Sequence, residues 1–153
     1  VSFASAHEGH EIGETIEVDG LEQALWPDHC VQATKGAAFH PELDVRPINL
    51  ILHKGVNSEL DSYSGFLETD RTTATGLESY LKGLDVSEVT VCGLATDYCV
   101  YFTAMDAVNA GFKTRLVTDA ARGIDQPEGN LKRTLNEMQE AGVRLVTSAE
   151  LLG

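Results

Sequence analysis

The chain has 153 residues, 42% hydrophobic and 23% charged, an ordinary balance for one globular domain with its own core. Twenty-four acidic against 11 basic residues give a net charge of −13, with the basic residues scattered, which argues against a nucleic-acid surface and against anionic membranes. No apolar run reaches membrane-spanning length, no signal peptide is visible, and three cysteines at irregular spacing read as reduced thiols of a cytoplasmic protein.

Residues 1 to 25 hold few periodic apolar positions. Gly9, Gly13 and Gly20 and a run of acidic side chains from Glu8 to Glu22 predict a long surface excursion. Leu50-Ile51-Leu52, bounded by Pro47 and Gly55, predicts a short buried strand. Leu77 to Leu84 places Leu77, Tyr80, Leu81 and Leu84 on one helical face, with Gly83 near its end. Glu88 to Cys92 predicts a buried strand, followed by a helix from Val100 to Ala110. In that helix Val100, Ala104, Ala107 and Val108 recur at helical spacing, and Gly111 stops it. Thr114 to Thr118 is a β-branched run. Asn130 to Ala141 predicts a helix with Leu131, Leu135 and Met138 inward, closed by Gly142, and Val143 to Thr147 a last strand. Strands alternating with helices predict an α/β domain with a mostly parallel sheet, whose sites lie beyond the carboxyl ends of the strands.

Three segments carry chemistry. Gly93-Leu94-Ala95-Thr96-Asp97-Tyr98-Cys99 joins the strand at 88–92 to the following helix. A cysteine on that first turn meets free backbone N–H groups and the positive end of the helix dipole, which favour thiolate. The alternative is a small buried hydrophobe, and position alone leaves the two open. Lys54 leaves the run 50–53, where a lysine can hold a neighbouring thiolate or carboxylate charged, or simply reach solvent. In Trp26-Pro27-Asp28-His29-Cys30 the histidine can be a ligand, a stacking residue or a plain loop residue, since a metal site needs three or four ligands.

Taken together and in this order, these segments resemble the nicotinamidases of the isochorismatase-like cysteine hydrolases, bacterial type. Ser2-Phe3-Ala4-Ser5, Trp26 to Gln32, Phe39-His40-Pro41, His53-Lys54-Gly55, Asp61 to Phe66 and Gly93 to Val100 carry the likeness across nearly the whole chain. The resemblance implies a Rossmann-like, three-layer parallel sheet flanked by helices. It implies hydrolysis of nicotinamide to nicotinate and ammonia for NAD salvage, with pyrazinamide a possible second substrate. Cys99 would be the nucleophile and pass through a thioester, and Lys54 would stabilise the charged groups. The N–H groups of Ala95 and Cys99 would form the oxyanion hole, with a cis peptide between Leu94 and Ala95. His29 would be one ligand of a divalent metal (zinc, iron or manganese), and Trp26 and Tyr63 would lie by the substrate ring.

The family's catalytic aspartate sits in an Asp-x-Gln-x-Asp-Phe motif, and its other metal ligands in an Asp-x-His-Pro-x-x-His segment ahead of Ser-Phe-Ala. Here Ser-Phe-Ala starts at Ser2, and the chain opens on Val1. We therefore expect residues 1–153 to be the carboxyl-terminal two-thirds of a single domain, missing its first strands. We expect that chain to be inactive and poorly stable without the amino-terminal segment as a partner. No internal residue restores the triad. His7-Glu8-Gly9-His10 reads as solvated, Asp97 as holding its turn through backbone N–H groups, and Asp119 as an N-cap or loop contact. Cys30 and Cys92 read as packed thiols, and His40 and His53 as structural. Two other readings stand beside nicotinamidase: a related hydrolase of another small amide or enol ether, and a silent binding chain. A monomer and a homo-oligomer are equally compatible with the sequence.

Overall fold

The computed structural model describes residues 2–18 and 20–153. The chain groups into two compact units, Val1–His53 with Asn57–Asp61, and Lys54–Val56 with Ser62–Gly153.

In the first unit, β1 (Thr15–Val18) and β2 (Leu21–Ala24) pair antiparallel, Thr15 opposite Ala24. A hairpin thus replaces part of the expected surface excursion. Half-buried Ile16 and Val18 alternate with exposed Thr15 and Glu17, a period of two that the acidic run obscured. An Asp-Gly pair, here Asp19-Gly20, is also a strong hairpin signal; Asp19 itself lies outside the described residues. Leu25 N–H donates to the Glu14 carbonyl at 2.8 Å, and Gly13 N–H to the Leu25 carbonyl at 2.8 Å, which continues the pairing past the ladder. Trp26 then bridges Phe3: its N–H reaches the Ser2 carbonyl at 2.7 Å, and its carbonyl accepts from Ala4 N–H at 2.9 Å.

Beyond Trp26 this unit is irregular apart from a 3-10 turn at Lys35–Ala37. The expected buried strand Leu50-Ile51-Leu52 does not form; all three side chains are exposed. A strand exists only through a ladder partner, and this run has none among the described residues.

The second unit carries the alternating pattern: α1 (Leu77–Gly83), β3 (Glu88–Leu94), α2 (Tyr101–Asn109), β4 (Lys113–Arg122), α3 (Asn130–Glu140), β5 (Arg144–Val146) and α4 (Ser148–Leu152). The three strands form one parallel sheet in the order β3-β4-β5. Being central, β4 buries side chains on both faces, with Thr114, Leu116 and Val117 all inside. Val100, Ala104, Leu116, Ala121, Met138 and Val143 make the main core, and Phe66, Ala107 and Phe112 a second cluster under α1. Small residues at 104 and 107, both fully buried, let α2 lie close to its neighbours. The helix at 130–140 turns Met138 inward and Leu135 partly so, while Thr134 is as buried as the methionine. Its hydroxyl is satisfied by the Asn130 and Leu131 carbonyls at 3.0 and 3.1 Å.

β3 is half-buried rather than buried: Val89 and Val91 face the core, while Thr90, Cys92 and Leu94 face outward. Cys92 is therefore an exposed thiol, not a core residue. The short apolar run carried no sign of which face would be covered, and at the edge of the sheet the period of two decides it.

One irregularity matters for the site. Val91 pairs with Leu116, yet Gly93 pairs with Ala121, so β4 carries three extra residues across that step. The displaced residues include Asp119, whose carboxylate accepts from Ser148 N–H at 2.7 Å and Ser148 hydroxyl at 2.5 Å at the start of α4. Asp119 thus supports the start of α4 from within β4, neither as that helix's N-cap residue, which is Thr147, nor as a loop contact. β4 then rejoins β3, so its last residues run level with Gly93 and Leu94.

Polar contacts fasten the helices. Arg71 makes a bidentate pair with Asp106 on α2, at 2.5 and 3.0 Å, the aspartate side chain being 4% exposed. Between α2 and α3, the Tyr101 hydroxyl donates to Glu137 at 2.7 Å, and Arg133 donates to the same carboxylate at 2.7 and 2.8 Å. Among the described residues no helix is long and apolar enough to cross a membrane.

Arg71→Ala should lower unfolding free energy by about 1–3 kcal/mol, because it leaves a buried carboxylate without its bidentate partner; the urea midpoint measures this. The Glu137 carboxyl is held below its ordinary value of 4.5, first by the Tyr101 hydroxyl and then by Arg133. A depressed carboxyl stabilises the fold above its unfolded pKa, and that contribution is lost as pH falls through the folded one. Wild type should therefore exceed Tyr101→Phe in urea midpoint at neutral pH, with the gap closing below pH 4.5.

Candidate active site

The site in the second unit begins where β3 ends. The chain leaves Leu94 through a cis Leu94–Ala95 peptide and enters one wide turn, Thr96–Val100, before α2. The Ala95 carbonyl closes that turn, accepting from Tyr98 N–H at 3.0 Å and from Val100 N–H, five residues on, at 3.1 Å. Cys99 sits on this turn, half-buried, between buried Asp97 and buried Val100. Thiol, turn and helix start thus coincide at the carboxyl end of a parallel strand, where α/β folds place reactive groups.

Asp97 anchors the turn from below. It is 2% exposed, and its carboxylate accepts from Ile124 N–H at 2.9 Å, Asp125 N–H at 2.8 Å and the Asn130 side-chain amide at 3.2 Å. The sequence reading had Asp97 holding its own turn; it holds a different loop, the one that follows β4. Local spacing favoured the nearby N–H groups, whereas the actual donors lie 27 to 33 residues away. Tyr98 adds a second link, its hydroxyl donating to the Gln126 carbonyl. Burial, and then the Asp97 charge, push the Tyr98 phenol above its ordinary range.

Lys54 and Tyr63 belong to the same unit, on its pieces Lys54–Val56 and Ser62–Gly153. Lys54 Nζ donates to the Ser62 carbonyl at 2.5 Å. Its predicted setting, the end of a buried strand, is replaced by an exposed stretch, and Ser62 anchors its ammonium instead. Tyr63 stacks on Phe102 of α2 at 5.4 Å between centroids and lies 5.9 Å from the Tyr98 ring. One predicted ring-binding residue is thereby joined to the cysteine turn through Tyr98 and Phe102. Neither of those aromatics was singled out from sequence, and neither were Gly123–Gln126 or Asn130. Aromatics at helical spacing read as core, and nothing local to 123–130 points toward residue 97.

The first unit holds Trp26 and His29. Trp26 is half-buried and fixed by its bridge to Phe3. The His29 ring packs edge-on against Phe3 at 5.4 Å, and its Nδ1 lies 2.7 Å from the Pro27 carbonyl. A carbonyl only accepts, so Nδ1 is the donor here, the orientation that leaves Nε2 as the ring's ligating atom. Nearby, the Ser5 hydroxyl donates to Asp28 at 2.5 Å. Among the described residues no group of three or more histidine, cysteine or acidic side chains is placed to hold an ion. One imidazole is not a metal site. His10 pairs with Glu14 at 2.8 Å, and His7 packs against His10 at 6.4 Å between rings. Cys30 is exposed rather than packed, at a positive φ of 48°, and His40 and His53 are exposed, His40 accepting from Glu42 N–H.

The chain is similar to known proteins over most of its length. Residues 12–150 match the isochorismatase domain. A nicotinamidase of Acinetobacter baylyi is 43% identical over 152 residues, 99% of this chain and 71% of that protein. A solved nicotinamidase/pyrazinamidase of Acinetobacter baumanii superposes with a TM-score of 0.95 at 48% identity, covering 99% of this chain and 72% of the other. A pyrazinamidase of Pyrococcus horikoshii, solved in complex with zinc, gives 0.69 at 40% identity, over 81% and 64%. With a parallel sheet flanked by helices and a cysteine turn at a strand end, the chain belongs to the isochorismatase family.

Proposed function

We propose that this chain carries the nucleophile of a nicotinamidase, which hydrolyses nicotinamide to nicotinate and ammonia in NAD salvage and also accepts pyrazinamide. The observation that carries the reading is Cys99 on the turn leaving β3, in a chain so similar to nicotinamidases over its whole length. A cytoplasmic location belongs to the same proposal.

In this reading Cys99 Sγ, as thiolate, attacks the carboxamide carbon, and the carbonyl electron pair moves onto oxygen. N–H groups of Ala95 and Cys99 receive that oxyanion; such donors are effective because they are already in place when charge develops. The oxyanion collapses, the C–N bond breaks, and the amide nitrogen leaves as ammonia carrying the proton that Cys99 gave up on ionising, which leaves a thioester on Cys99. Water then adds to the thioester carbon, the C–S bond breaks, and nicotinate departs as the thiol is restored. Lys54 supplies the positive charge that holds thiolate against thiol. Tyr63, already stacked on Phe102, offers an aromatic face to a pyridine ring, and Trp26 is proposed as a second ring-binding aromatic.

His29 is proposed as one ligand, through Nε2, of a divalent metal such as zinc, iron or manganese. The remaining ligands are not supplied by the described residues, so no step above runs through the ion. When bound, such an ion would polarise a substrate or water lone pair.

Two outcomes check this. The whole protein that carries this chain should release ammonia from nicotinamide, and Cys99→Ala should reduce release by at least about 10³-fold, consistent with losing a nucleophile; release that survives the substitution would point to another mechanism. His29→Ala should lower the metal bound per protein by elemental analysis while circular dichroism stays unchanged; equal metal content would remove His29 from the ligand set.

A further inference from the structure

The feature the mechanism above leaves unused is the buried carboxylate two residues before the nucleophile. We infer that Asp97 is a positioning residue that fixes Cys99 by locking its turn onto the loop after β4. The inference rests on the nicotinamidase reading only for the identity of the substrate.

The contacts are unusually complete. Both carboxylate oxygens take a backbone N–H, from Ile124 and Asp125, and one also takes the Asn130 amide. Asn130 is held in turn, its side-chain oxygen accepting from Arg133 at 2.7 Å. Asp125 caps the start of α3 by accepting from Leu131 N–H at 2.9 Å. The loop therefore has no slack: its N–H groups point at Asp97, and its far end is tied to α3. Gly123 fits the same plan, because a Cβ there would stand 3.2 Å from an Asp97 oxygen and 2.7 Å from Leu131. The register step in β4 delivers the loop to this place, since Arg122 pairs with Leu94 at the very end of β3.

Chemically, Asp97 is ill-suited to touch substrate. Its lone pairs are committed to three donors, and it is buried beneath the turn. A carboxylate so used sets geometry. Displacing the turn by a fraction of an ångström would move the thiol and the proposed N–H donors together, and misplacement near 1 Å costs about 100-fold in rate.

Two variants separate position from charge. Asp97→Asn keeps the volume but aims an NH2 at a backbone N–H donor. Gly123→Ala keeps the negative charge and crowds the loop. The readouts are the iodoacetamide rate of the Cys99 peptide, followed by mass spectrometry, and kcat and KM for nicotinamide. Arg71→Ala, distant from this turn in its contacts, serves as a control for lost stability alone. Both variants should slow Cys99 alkylation and kcat about tenfold or more, with KM within about threefold, while Arg71→Ala leaves the alkylation rate unchanged. An unchanged rate in both variants would overturn the inference. So would faster alkylation in Asp97→Asn with no effect in Gly123→Ala, which would assign Asp97 an electrostatic role. Slowing in Arg71→Ala as large as in the two variants would overturn it as well. If no form turns over nicotinamide yet alkylation slows as expected, the substrate reading fails and the positioning role stands.

Discussion

The carboxylate of Asp97, buried and shared among three donors, is the interaction on which the second unit's site depends. A parallel strand can present a reactive group at its carboxyl end only if the turn beyond it is held from outside, because that turn lies past the ladder. Here the support is the loop after the neighbouring strand. It reaches Asp97 because β4 absorbs three extra residues and then comes back level with β3. Sheet register, loop and nucleophile turn are thus one mechanical chain, running from backbone hydrogen bonds to chemistry.

Elsewhere the unit relies on a modest apolar core reinforced by directed polar contacts. The main cluster centres on Leu116, Ala104 and Met138; Arg71 holds α2 through Asp106, and Tyr101 ties α2 to Glu137 of α3, which Arg133 also pairs from within α3. Each polar tie fixes an angle or a register that apolar packing alone would leave loose. Tyr63 profits from this rigidity, since Phe102, against which it stacks, belongs to the helix that follows the cysteine turn. Outward-facing Thr90, Cys92 and Leu94 on β3, and the exposed run Leu50–Leu52, mark where apolar surface is not covered among the described residues.

Much of this was legible in the sequence, and the failures have physical causes. Three of the second unit's four helices and its three parallel strands follow apolar periods and glycine stops, because local spacing governs them; the five-residue α4 is too short to show a period. The hairpin at residues 15–24 was hidden by charge, although the Asp19-Gly20 pair in the sequence is a hairpin signal. Leu50–Leu52 failed for the opposite reason: its composition suits a strand, but pairing is a non-local property. Cys99, Lys54 and His29 stood out through residue type and setting, and Tyr63 and Trp26 through the family resemblance. What Asp97 would bind did not, since its partners are backbone N–H groups about 30 residues downstream, and no side chain there advertises them. A motif names the reacting atoms; the polar contacts that hold them become visible only when the chain is folded.

The most direct test of the central claim is to look for the covalent intermediate. The whole protein that carries this chain would be mixed with nicotinamide, quenched in acid within milliseconds to seconds and digested, and the regions holding Cys30, Cys92 and Cys99 weighed by mass spectrometry. The account predicts a transient pyridine-3-carbonyl group on the peptide carrying Cys99 and on neither Cys30 nor Cys92. Turnover with no acyl group at Cys99 under any quench time, or with the acyl group on another residue, would contradict it.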